Sequence, residues 1–157
     1  MWQMDKNRLV QKILERIRLN IESLEAIVSA AHEAATHQEL RPEGRYDTQA
    51  IEAGYLAGAQ TKRLLELRSD FSKLQNFKIK SGVTNVALGS IVRIRDHGWH
   101  FFVPVAGGHS LDEEGEKVTL VTVHSVLGRA LMGLEVGESA ECELPDGTQI
   151  LEIVEIL

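Results

Sequence analysis

Three carboxylic acids, Glu39, Glu43 and Asp47, cluster where the helical patterning of the first half of the chain is interrupted. The segment 39–46 contains a proline and a glycine, which break helices. Carboxylate oxygens are the ligands that hard cations prefer, so acids gathered at a bend are candidates for metal chemistry. Two plainer interpretations remain open. The acids can simply be solvated, and Asp47 can cap a following helix by accepting backbone N–H bonds.

Two mainly apolar stripes with a seven-residue period flank this segment, and the side chains in both become smaller toward the bend. Alternating spacings of three and four keep such a stripe on one side of a helix, as in a coiled coil. The pattern predicts an antiparallel coiled-coil hairpin over residues 1–78, with its tip at 39–46 and a first helix about 50 Å long. Charged outer faces argue against the alternative, a hairpin buried inside a larger bundle. The stripes consist of Val10, Leu14, Ile17, Ile21, Leu24, Val28, Ala31 and Ala35, and of Ala50, Ala53, Ala57, Gln60, Leu64, Leu67, Phe71 and Leu74.

The composition changes near residue 79, where glycines begin to separate short runs of Val, Ile and Phe. A short helix is expected between an N-cap at Ser125 and a stop at Gly133. A sheet with one helix predicts an α+β fold, with a small second domain over 79–157. A turn at Pro145-Asp146-Gly147 should join the last two strands as a hairpin. The predicted strands lie near 90–95, 99–105, 116–123, 138–144 and 148–156.

Charge is distributed unequally between the two halves. Residues 1–78 carry 12 basic and 11 acidic side chains, whereas residues 79–157 carry 5 basic and 12 acidic ones. The second half is therefore a poor candidate for direct binding of nucleic acid. The single cysteine, Cys142, excludes an intrachain disulfide, and its strand-like setting favours a packing role. With no run of 18 apolar residues and no signal-peptide pattern, the expectation is a cytoplasmic protein without a membrane segment.

The string Ser-Val-Leu-Gly-Arg-Ala-Leu-Met-Gly at 125–133 resembles one in the bacterial Gre transcript-cleavage factors, where it typically begins Ser-Pro and ends Leu-Ile-Gly-Lys. Val136-Gly137-Glu138 and the turn at 144–147 occupy the places of that family's Gly-Asp/Glu and hairpin turn. The stretch 101–108, Phe-Phe-Val-Pro-Val-Ala-Gly-Gly, is closer to a side branch that includes Rnk-type regulators. The sequence is thus identified as a member of the Gre/Rnk superfamily, with the subfamily left open.

The resemblance implies an FKBP-like second domain and a partner, RNA polymerase. Gre factors bind the rim of the polymerase secondary channel through that domain and insert the coiled coil down the channel. Carboxylates at the tip then help to hold the polymerase's second Mg²⁺, and the polymerase cleaves its own backtracked transcript. The chain would be an accessory factor rather than an enzyme. It would bind no cofactor by itself, share Mg²⁺ with the polymerase and contact nascent RNA only indirectly.

The family's tip motif, Asp-Leu-Lys-Glu-Asn-Ala-Glu-Tyr, maps onto this chain residue by residue. Glu39 takes the place of the leading Asp, and Tyr46 matches the tip tyrosine. Pro42 stands where the family has its second carboxylate, and Glu43 follows one residue later. Glu39 and Glu43, joined by Asp47 at the acidic end, are therefore the implied candidates for catalysis.

The family's polymerase contact maps onto Ser125, Val126 and Leu127, with Val126 in place of the family's proline. The plainer interpretation is that Ser125 is an N-cap and Leu127 a core residue, and it stays open beside the first.

Three alternatives to cleavage stimulation are kept. The first is a regulator or inhibitor that occupies the channel without stimulating cleavage, as Pro42 suggests. The second is a coiled-coil module for another partner. The third, a prolyl isomerase, is poorly supported because the second domain's aromatic residues are confined to Trp99, Phe101 and Phe102. No set of histidines has zinc-binding spacing. The sequence leaves the oligomeric state open.

Overall fold

The computed structural model describes residues 3–39 and 47–157, and for residues 35, 38, 39 and 47–53 it describes the backbone alone. Two long helices come first, α1 (Lys6–Glu39) and α2 (Asp47–Gln75). Asp5 caps α1, since its Oδ1 accepts the backbone N–H of Arg8 at 3.1 Å. At 1.5 Å per residue, the 34 residues of α1 extend about 50 Å.

Burial along the helices follows the seven-residue period. On α1, Val10, Leu14 and Ile17 are buried, and the next four stripe positions, up to residue 31, are the partly buried ones. On α2 the described stripe positions from Ala57 to Leu74 are buried or partly buried. The spacing of apolar residues therefore identified a packed side of both helices, but at the start of α1 it missed Leu9 and Ile13, which are also buried.

One interhelical ion pair fits an antiparallel arrangement of α1 and α2. Arg68 Nη2 lies 2.5 Å from Glu25 Oε1. Glu25 directly follows the stripe residue Leu24, and Arg68 directly follows the stripe residue Leu67. The two residues therefore occupy equivalent positions beside the apolar stripes of their helices. Equivalent flanking positions face each other when two such helices run in opposite directions. The antiparallel coiled-coil hairpin expected from the sequence is confirmed.

The chain forms two compact units. One consists of Leu14–Ser72, and the other combines Met1–Ile13 with Lys73–Leu157. The first turns of α1 and the last residues of α2 thus pack with the sheet that follows them. The division of the sequence at residues 78 and 79 remains a prediction.

The second unit contains a six-stranded mixed sheet and one short helix. The strands are β1 (Ile91–Ile94), β2 (Gly98–Phe102), β3 (Ser110–Glu113), β4 (Glu116–Val121), β5 (Ser139–Leu144) and β6 (Gly147–Ile156), and α3 spans Val126–Leu131. Their order across the sheet is β3-β4-β2-β1-β6-β5. Only the β2–β4 pair is parallel among the pairings in the described part of the chain. The expected α+β class is confirmed.

The strand predictions need two corrections. β3 was missed because Ser-Leu-Asp-Glu lacks the β-branched and aromatic residues that usually indicate a strand. The second and third predicted strands were too long, since β2 ends at Phe102 and β4 at Val121. The β5–β6 hairpin is confirmed, with Leu144 paired to Gly147 across its turn.

The two faces of the sheet are covered differently. One face packs with α3 around a core that includes Phe102, Cys142, Leu151 and Ile153. Cys142 is buried there as a free thiol, which confirms its packing role. The other face is buried over β2, β3 and β4 but carries exposed side chains over β5 and β6.

Candidate functional site

The two helices end and begin on either side of the acidic segment. Glu39 is the last residue of α1 and Asp47 the first of α2. The side chains of these two residues, together with Glu43 and Tyr46, lie outside the described part of the chain. Their roles at the tip, including the N-cap role of Asp47, therefore remain predictions.

The start of α3 lies within the described part of the chain, and its geometry tests the prediction that Ser125 is an N-cap. Ser125 Oγ accepts the backbone N–H of Gly128 at 2.9 Å and donates to the carbonyl oxygen of Thr122 at 2.8 Å. Ser125 has an extended backbone conformation, with φ −67° and ψ 161°. The N-cap is confirmed, and its two hydrogen bonds link Thr122, after β4, to Gly128 in the first turn of α3.

A close backbone approach makes glycine necessary at position 128. A Cβ built on Gly128 would lie 2.0 Å from the Thr122 carbonyl oxygen, far inside van der Waals contact. The first turn of α3 can therefore approach the end of β4 only because residue 128 has no side chain. This contact gives the glycine in the Gre-like string a structural reason.

The three residues expected to contact a partner differ in exposure. Val126 is 51% exposed, whereas Ser125 and Leu127 are partly buried and Leu127 packs against the core. Met132 and Val136, which sequence reasoning did not single out, are also exposed apolar side chains. Within the predicted contact segment, Val126 is the side chain available to a partner.

A buried carboxylate in β3 is a feature for which the sequence offers no signal. Glu113 is 1% exposed and forms ion pairs with Lys12 and, at 3.4 Å, with Arg8 Nε, both from α1. Lys12 Nζ also donates to the carbonyl oxygen of Asp112 at 2.6 Å. Buried charges are stable only when they are paired in this way. The pairs attach the first turns of α1 to β3.

A second ion pair lies at the exposed side of the sheet. The Arg95 guanidinium donates two hydrogen bonds of 2.8 Å to the two carboxylate oxygens of Glu152. These bonds lower the pKa of the Glu152 carboxyl and raise that of Arg95. The pair borders an open hollow of about 500 Å³, which Asp96 and Ile150 also line.

Within the described residues, no group of three or more His, Cys, Asp or Glu side chains is arranged to hold a metal ion. His100, in β2, is nearly buried, and this burial lowers its pKa below the ordinary value of histidine.

Among the described helices, none combines the length and apolar character that crossing a membrane requires.

Comparison with known proteins supplies the family. Residues 81–157 match the model of the C-terminal domain of the transcription elongation factors GreA and GreB. The transcription elongation factor GreA of Polaromonas naphthalenivorans is 28% identical over 153 residues, which cover 91% of this chain and 92% of that protein. GreA of Rhodospirillum rubrum is 26% identical over 160 residues, covering 96% of each chain.

Among solved structures, the GreA factor homolog Gfh1 of Thermus thermophilus is similar at 19% identity, with a TM-score of 0.38. The match covers 92% of this chain and 94% of that one.

A coiled-coil hairpin followed by a small sheet domain with a tightly capped helix defines an α+β protein. The match over 81–157 and the full-length relatives identify the chain more closely. Residues 81–157 form a GreA/GreB C-terminal domain, and the chain over almost its whole length is similar to Gre-type transcription elongation factors.

Proposed function

We propose that this chain binds bacterial RNA polymerase in the cytoplasm and inserts its helical hairpin into the polymerase secondary channel. It is an accessory factor and acts through the polymerase's own activity. The observation that carries the proposal is the uninterrupted 34-residue α1, whose seven-residue burial pattern pairs it with α2. Such a paired helix is stiff enough to carry side chains about 50 Å from its start.

The acidic segment between the helices is proposed to modulate or stimulate cleavage of backtracked RNA. Glu39 ends α1 and Asp47 begins α2, so both border the segment that contains Glu43. Carboxylates are suitable ligands for Mg²⁺ held jointly with the polymerase, and the ion would supply Lewis-acid activation of a water molecule. The chain needs no metal site of its own for this role. Contact with nascent RNA would be indirect, within the elongation complex.

A transcript-cleavage assay on stalled elongation complexes tests this role. The double variant Glu39→Ala, Glu43→Ala is compared with Glu33→Ala, Glu66→Ala, which removes two acids from exposed positions on the helices. Cleavage that is stimulated by the wild type and the control but lost in the tip variant supports the proposal. Equal stimulation by all three proteins would rule out these acids, and adding Asp47→Ala tests the remaining acid.

Pro42 favours a second candidate function, a channel-binding regulator that does not stimulate cleavage. The proline side chain has no ligand atom at the position where the resembling family carries its second carboxylate. In this case the wild type binds polymerase and changes the elongation rate, while cleavage stays at the level without factor. Failure to co-purify with core polymerase would instead favour a coiled-coil module for another partner.

A further inference from the structure

One half of a sheet face in the second unit is uncovered. Ile91, Phe101 and Leu120 are fully or almost fully buried on this face, where Glu113 binds the first turns of α1. The face continues across β6 and β5, and there its side chains are exposed except for Glu152, which is partly buried. We call this exposed part the β5–β6 face, formed by Ser139, Glu141, Glu143, Thr148, Ile150 and Glu152.

Ile150 lies at the centre of the β5–β6 face. It is 76% exposed, more than any other large aliphatic side chain in the described part of the chain. Its cross-strand partner is Glu141, and the neighbouring pairs on the same face are Ser139 with Glu152 and Glu143 with Thr148. An isolated apolar side chain on a regular strand, ringed by acids and hydroxyls, resembles the apolar centre and polar rim of a protein interface.

The charge of this region has a single sign. Residues 135–157 contain seven acidic and no basic residues. The Arg95 guanidinium is already engaged with both oxygens of Glu152. Two copies of this chain that met through the β5–β6 face would bring like charges together, so the charge opposes self-association.

We infer that the β5–β6 face docks a basic surface of RNA polymerase, with Ile150 buried at the centre of the contact. The inference rests on the proposed function, and it adds a contact surface separate from Ser125–Leu127. Basic side chains of the partner would pair with Glu141 and Glu143. The hollow beside Ile150 would accept one further side chain, next to Asp96.

Equilibrium binding of fluorescently labelled full-length protein to bacterial core RNA polymerase tests the inference. Ile150→Asp should weaken binding about tenfold or more, since it removes the apolar centre. Ile150→Val keeps a β-branched apolar side chain and should bind within about twofold of the wild type.

A charge-reversal pair tests the electrostatic half of the inference. Glu141→Lys should weaken binding several-fold and make it less sensitive to salt. Its matched control is Glu116→Lys, the same charge change at an exposed strand position on β4, near the other edge of the sheet. Thermal unfolding verifies that each variant is folded.

The outcomes separate this inference from the proposed function. Wild-type protein that does not bind the polymerase overturns both. Wild-type protein that binds, with Ile150→Asp and Glu141→Lys unchanged, overturns the docking surface alone. Equal weakening by Glu141→Lys and Glu116→Lys would also overturn it, because the effect would then come from net charge rather than from this face.

Discussion

Lys12 in α1 forms an ion pair with the carboxylate of Glu113 in β3, although the two residues are 101 positions apart in the chain. The Glu113 side chain is almost completely buried. The lysine is 34% exposed, so water reaches one side of the pair only. This contact, supported by Arg8, links the beginning of the first helix to a strand formed much later in the sequence. The first turns of α1 thus belong to the same compact unit as the sheet.

Lys12→Met should destabilise the protein by on the order of 3 kcal/mol, because it leaves the buried carboxylate of Glu113 with Arg8 as its remaining partner. The measurement is the free energy of unfolding in urea. Arg63→Met is the control, because it breaks the exposed pair with Glu66 and should cost less than about 0.5 kcal/mol. Equal losses in the two variants would contradict the importance of burial.

Two glycine substitutions should change stability in opposite directions. Gly128→Ala forces a methyl group against the Thr122 carbonyl oxygen and should cost about 1–3 kcal/mol. Gly58→Ala lies in α2 with open space around the added carbon, and should stabilise the protein by about 0.5–1 kcal/mol. Thermal unfolding of both variants checks the prediction, which fails if Gly128→Ala is neutral.

His100 should make stability depend on pH. Burial lowers its pKa in the folded protein, so below about pH 6.5 the unfolded chain binds more protons than the folded one. Stability contributed by the neutral ring is therefore intact above pH 6.5 and falls as the pH drops, by at most about 1.4 kcal/mol per unit. His100→Gln should remove this slope. The exposed His124→Gln, measured alongside, should keep it.

If this chain binds core RNA polymerase as proposed, its association rate should fall as salt is raised, because the acidic second half would be attracted to the basic surface inferred for the polymerase. Stopped-flow measurements between about 0.05 M and about 0.5 M ionic strength would show a falling association rate with a smaller change in dissociation rate. An association rate that does not respond to salt would argue against electrostatic steering.

The sequence predicted those features that depend on local spacing. The seven-residue period of the stripe from Val10 to Ala31 is visible in the order of the residues. The N-cap is equally local, because Ser125 lies three residues before Gly128, whose N–H it accepts. In contrast, β3 was missed, and the burial of its Glu113 has no signal in the sequence because glutamate usually lies at the surface. Its burial depends on Lys12 and Arg8, which no local pattern connects to it.

The candidate site shows the same division. The exposure of Val126 and the cap by Ser125 follow from local helix chemistry. Ile150, however, continues an apolar run with Leu151 and Ile153, and this pattern by itself predicts that Ile150 is a buried core residue. It is exposed because nothing in the described chain covers that half of the sheet, and coverage is decided by tertiary packing.

The position of β6 in the sheet has a consequence for synthesis of the protein. β6 lies between β1 and β5, yet the ribosome makes it more than 50 residues after β1. Until residue 156 has emerged, β1 is paired with β2 on one side only, and the apolar side chains beneath α3 remain exposed to water. The helical pair can form earlier from its local contacts, so the nascent polypeptide should pass through a stage with an assembled hairpin and an aggregation-prone, half-built sheet.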